Sequence, residues 1–131
     1  MNRRSTPEAD AQRSIVQALR FALPRDAIVH HCANEVTEAW LRGARRQSIL
    51  VGMGVHAGFA DLIVISGGRV LFLEVKSETG RLRKSQEVFR DMVCAQGFGW
   101  ALVRSVDDAL AALADNGFTS RAQLPVRRVA P

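Results

Sequence analysis

Between Thr6 and Pro24 the apolar residues Ile15, Leu19 and Leu23 recur at every fourth position, the spacing of one helical face. The start of that helix is marked too. Thr6 offers a capping oxygen, Pro7 suits the first helical position, and Glu8 falls in the first turn, where the helix dipole favours an acid. Pro24 ends the run. The β-branched stretch Ile28-Val29-His30-His31-Cys32 then predicts a short strand. Residues 35–47 predict a second helix of ragged period, rich in arginine at Arg42, Arg45 and Arg46, and the glycines Gly52, Gly54 and Gly58 predict a loop.

The middle of the chain has the clearest pattern. Leu62-Ile63-Val64-Ile65 is a continuous apolar run behind a single acid, Asp61, and predicts a strand buried on both faces. Gly67-Gly68 can take the positive φ angles of a tight turn, so Val70 to Val75 is expected to return as its hairpin partner. Ser85 to Gln96 predicts a helix with Phe89, Met92 and Val93 apolar, closed by Gly97. Trp100 to Arg104 predicts a further strand, and Asp107 to Ala114 a last helix stopped at Asn116-Gly117. The order predicts one α/β domain over residues 1–131, with a central mixed sheet flanked by helices, a core at about 6–115 and loose ends.

Composition adds a partner class. The 18 Lys and Arg against 13 Asp and Glu give a formal charge of +5, a balance that suits a polyanion such as nucleic acid. It equally describes an ordinary Arg-rich protein. No stretch is long enough and apolar enough to span a bilayer, and no apolar run follows the N-terminal residues as in a signal peptide. With no Cys-x-x-Cys spacing, Cys32 and Cys94 are expected to be reduced, buried small hydrophobes in a cytoplasmic protein.

The hairpin carries the candidate chemistry. With Gly67-Gly68 as a two-residue turn, Ser66 faces Arg69, Ile65 faces Val70, and Asp61 comes to lie opposite Glu74. Facing residues of an antiparallel pair point to one side with Cβ atoms about 5 Å apart. Two carboxylates so placed repel each other, and a hard divalent cation compensates them best. Lys76, two residues after Glu74, shares that face. A salt-bridged patch at the strand ends is the plain alternative, and a register slip of one residue would separate the acids. Glu8 and Gln86 head the apolar stripes of their helices. Each either points past the core edge toward the carboxylates or has a plain role, capping for Glu8 and a solvated first-turn position for Gln86.

These residues resemble the virus-type replication-repair nuclease (VRR-NUC) family of the PD-(D/E)xK nuclease superfamily. The likeness runs through Gly58-Phe59-Ala60-Asp61-Leu62-Ile63-Val64-Ile65, then Phe72-Leu73-Glu74-Val75-Lys76-Ser77, then Gly80-Arg81-Leu82-Arg83-Lys84-Ser85-Gln86, and extends from about Glu8 to about Leu113. It implies a restriction-endonuclease-like fold and a Mg2+- or Mn2+-dependent DNA endonuclease. Asp61 and Glu74, with the Val75 backbone carbonyl and Glu8, would be the metal ligands. Asp61, Glu74, Lys76 and Gln86 would be the catalytic set. Asn34 is a weaker match. The sequence departs from the family at Ala60, where the name-giving proline is expected; that proline is a backbone element and no ligand, so Ala60 is expected to be tolerated. Arg42, Arg45, Arg46, Arg81, Arg83 and Lys84 would contact phosphates. Stand-alone members are similar to junction resolvases, which implies branched DNA as substrate and a homodimer.

Rival readings are a DNA-binding module without catalysis, a hydrolase of small nucleotides, and a subunit active only with a partner. Buried acids near phosphate have no use in the first, and the lack of a phosphate loop weighs against the second. Zinc is set aside, because only His30 and Cys32 of the His30-His31-Cys32 run share a strand face. His56 is expected to be a plain loop residue, and Trp40 and Trp100 to lie in core or interface.

Overall fold

The computed structural model describes residues 6–32 and 52–121. The expected helix over residues 35–47, and with it Asn34, Trp40, Arg42, Arg45 and Arg46, lies outside the described residues. Helix α1 spans Pro7–Ala22, capped as its sequence predicts: the Ala9 N–H donates to Thr6 Oγ1 at 3.1 Å. Ile15, Leu19 and Leu23 are fully buried along one face. Its C-terminal carbonyls are met by Arg121, whose Nε donates to Leu23 O at 3.0 Å, a cation at the negative end of the helix.

Four strands form one sheet in the order β1 (Ile28–His31), β2 (Leu62–Ser66), β3 (Arg69–Val75) and β4 (Gly99–Val103). The first three pair antiparallel, and β4 lies parallel to β3, so the sheet is mixed. A parallel neighbour needs a crossover, and helix α2 (Lys84–Ala95) supplies it. Helix α3 spans Val106–Asp115 and starts at Ser105, whose Oγ accepts from the Asp108 N–H.

The hairpin register is the expected one. Ser66 pairs with Arg69 and Leu62 with Leu73, and the turn glycines have φ of 58° and 75°. Alternation then sorts the sheet into two faces. Leu62, Val64, Leu71, Leu73, Val75 and Val103 enter the main core with α1 and α3. Each fully buried Leu or Val contributes about 1.5–3 kcal/mol. Phe72 and Trp100 face the other way and pack with Ala60, Phe89 and Val93 under α2.

Burial of β2 on both faces does not hold. Leu62 and Val64 are fully buried, whereas Ile65 is 39% exposed and its partner Ile28 53% exposed. The packing of α2 is on β4 and β3, which leaves this outer pair beyond its reach. The same geometry corrects two other expectations. Of the apolar side chains of α2 only Phe89 and Val93 are buried, so Met92 is 47% exposed and Cys94 is exposed too. Cys32 is half-buried, and neither cysteine is in a disulfide.

Candidate active site

Asp61 stands one residue before β2, where both neighbouring strands hold it. Its carbonyl accepts from the Cys32 N–H at 2.8 Å, and its Oδ2 accepts from the Val75 N–H at 2.8 Å. The side chain therefore takes the ladder position across from Glu74, one step beyond the last paired residues.

Glu74, next to last in the inner strand β3, is 1% exposed and lies on the α2 face. Its two oxygens are treated unequally. Oε1 accepts from Gln86 Nε2 at 2.9 Å and lies 3.5 Å from the Lys76 ammonium. Oε2 is buried and has no hydrogen-bond partner among the described residues. Burial pushes the Glu74 carboxyl from an ordinary 4.5 up to about 8; the adjoining Asp61 carboxylate adds to the rise, and Lys76 opposes it. An unpartnered carboxylate oxygen next to a second carboxylate is costly unless a proton or a cation occupies the space.

Lys76 extends the β3–β4 pairing by one residue, its N–H donating to Val103 O at 3.1 Å, and its side chain is nearly buried. Gln86 does two jobs at once. Its Oε1 accepts from the Arg83 N–H at 2.8 Å, which caps α2, while its amide nitrogen binds Glu74. The sequence left Gln86 either solvated in the first turn or aimed at the carboxylates; it is aimed at them, and its capping bond was not anticipated.

The loop before Asp61 is pressed onto that same helix end. A Cβ at Gly58 would stand 2.1 Å from the Ser85 carbonyl oxygen, and its φ is 76°, so only glycine fits. Ala60, at the position of the expected proline, is fully buried beside Phe89 and Val93. His56 lies exposed in the loop, as expected, with its ring 5.8 Å from that of Phe89 between centroids.

With this geometry in hand, a solved structure described as a VRR_NUC domain protein is similar over 87% of this chain and 90% of that chain, with TM-score 0.64 and 18% identity. The chain has a VRR-NUC-like fold. No protein-family model matches the sequence, nor does any curated protein.

Of the residues expected at a VRR-NUC-like site, Asp61, Glu74, Lys76 and Gln86 come together. Glu8 lies in the first turn of α1, half-buried. Among the described residues no three of His, Cys, Asp and Glu form a group able to hold a metal, so Glu8 does not join the carboxylate pair in this structure. Arg81, Arg83 and Lys84 are exposed in the segment entering α2, with Lys84 4.0 Å from Glu87. No helix among the described residues is long and apolar enough to cross a membrane.

Two residues escaped the sequence reading. Gly58 left only a loop signal, and its contact with Ser85 is a tertiary fact. Arg104 was read as the end of a strand, yet its guanidinium binds main-chain carbonyls of Ser77, Glu78 and Gly80. Carbonyl acceptors leave no trace in a sequence.

Proposed function

We propose that this protein is a metal-dependent DNA endonuclease that hydrolyses phosphodiester bonds at the Asp61, Glu74 and Lys76 site. The observation that carries the reading is the Glu74 carboxylate, with one oxygen held by Gln86 and Lys76 and the other buried without a donor beside Asp61. A carboxylate kept for structure alone would find donors for both oxygens. The donor set suits a hard cation: Asp61, Glu74 and the Val75 carbonyl would hold Mg2+ or Mn2+, which when bound supplies Lewis acidity and an acidified water.

The chain's own groups do the rest. Gln86 fixes Oε1 of Glu74 and so leaves Oε2 for the ligand role. The Lys76 ammonium, nearly excluded from solvent, neutralises charge that builds on phosphoryl oxygens during cleavage. Arg81, Arg83 and Lys84 give the entry to α2 a basic surface suited to phosphates, which positions a duplex without reading its sequence. Arg42, Arg45 and Arg46 join that role on sequence alone, and Glu8 is kept as an acid that a second metal could recruit.

The substrate and assembly follow from the resemblance: branched DNA cut by a homodimer, whose two symmetric sites would nick paired strands. Two cysteines without a disulfide accord with a cytoplasmic setting.

The test is cleavage of labelled four-way junction, flap and linear duplex with Mg2+, Mn2+ or EDTA, with Lys76→Ala alongside. Metal-dependent cutting concentrated on the junction and lost in the variant supports the whole reading. Equal cutting of all substrates keeps the nuclease and removes the junction preference. DNA binding without cutting by folded protein removes the nuclease.

A further inference from the structure

Arg104 follows directly on β4, beside the point where Lys76 leaves β3. Its Nη1 donates to Ser77 O, to Gly80 O at 2.8 Å and to Glu78 O at 3.2 Å. That nitrogen carries two hydrogens, so one is shared between carbonyls. All three acceptors lie in the short connection from Lys76 to α2, outside any strand or helix. A single charged donor gathers this backbone into a turn, which the Gly80 N–H closes on Ser77 O at 3.2 Å.

The turn rests on Lys76. A carbon added at Gly80 would lie 3.4 Å from both Cβ and Cδ of Lys76, so the Gly80 backbone packs against the lysine stem. The ammonium at the end of that stem sits 3.5 Å from Glu74 Oε1. Beyond the turn the same connection carries Arg81 and Arg83 and enters α2 at Lys84, two residues before Gln86.

We propose that Arg104 is a positioning residue for the site: it holds the Ser77–Gly80 turn against the stem of Lys76 and thereby sets the ammonium on Glu74. Arg104 touches none of the candidate reacting groups and acts through the turn. Its effect on cleavage rests on the nuclease reading; its effect on the turn does not.

The full chain carrying Arg104→Ala or Arg104→Lys is compared with wild type in three measurements. These are single-turnover cleavage of labelled duplex at saturating protein in Mn2+, duplex affinity in Ca2+, and amide hydrogen exchange. A misplaced lysine should lower the Arg104→Ala rate about a hundredfold. Affinity should stay within about threefold, because Arg81 and Arg83 keep their charges. The Gly80 amide should exchange at least about tenfold faster, with core amides of β2 and β3 unchanged. Arg104→Lys, which keeps a charged donor, should recover part of the rate.

An unchanged rate in Arg104→Ala would overturn the proposal. So would a loss matched by faster exchange throughout the sheet, since that marks general destabilisation. If wild type cuts no DNA, the nuclease reading fails, and the exchange data still decide: selective opening at Gly80 supports the role of Arg104, and unchanged exchange there overturns it.

Discussion

Raising the pH without divalent metal should destabilise this protein through Glu74. Its carboxyl is pushed from 4.5 to about 8 by burial, with Asp61 adding to the rise and Lys76 opposing it. Between those values the folded protein keeps a proton that the unfolded chain has lost. The contribution is therefore whole below about 4.5 and declines as pH rises to about 8. A shift of this size corresponds to at most about 5 kcal/mol, and relaxation around the half-buried Asp61 reduces it to about 2 kcal/mol. For a domain of this length that is about 7 °C in Tm. The assay is thermal unfolding in EDTA from pH 5 to 8, for wild type and Glu74→Gln. The amide keeps an acceptor for Gln86 and Lys76 and carries no charge, so the difference between the two curves cancels the other carboxylates. Wild type should lose its few degrees relative to the variant across that range, and Mg2+ or Mn2+ at pH 8 should restore wild type alone. A flat difference, or a wild type that gains on the variant as pH rises, would refute the reasoning.

Gln86→Ala removes the acceptor for the Arg83 N–H and the donor to Glu74 together. Denaturant unfolding should show a loss of about 1–2 kcal/mol, and single-turnover cleavage should fall by more than about tenfold. Gly58→Ala would drive a methyl into the Ser85 carbonyl at a positive φ. It should cost about 2–4 kcal/mol in the same unfolding assay, and wild-type stability in that variant would show that the loop does not press on α2.

The hairpin was legible because two independent signals agree on it. Gly67-Gly68 sets the turn, and the strand period of two then leaves a single register that buries Leu62, Val64, Leu71 and Leu73 together. Asp61, Glu74 and Lys76 follow from that register by counting. The fate of the opposite face was not legible, because an apolar run records nothing of how far a helix on that side extends. Ile65 and Ile28 are exposed for that reason. Cys94 lies among apolar neighbours in sequence but one step round the helix from Val93, and that step turns it outward. Gln86 and Arg104 illustrate a second limit. Their partners are a side chain 12 residues away and carbonyls 24 to 27 residues away, and only the folded sheet brings them within reach.

The central claim is that Asp61 and Glu74 jointly hold the cation that serves phosphodiester cleavage. Its most direct test is single-turnover cleavage of a labelled duplex across a Mn2+ titration, with wild type beside Asp61→Asn. The variant keeps the side chain's shape, and its amide oxygen can still accept the Val75 N–H. Cutting that rises with Mn2+ in wild type and stays absent in the variant at every concentration is the predicted result. Cutting that survives EDTA, or an Asp61→Asn protein that cuts at the wild-type rate, would contradict it.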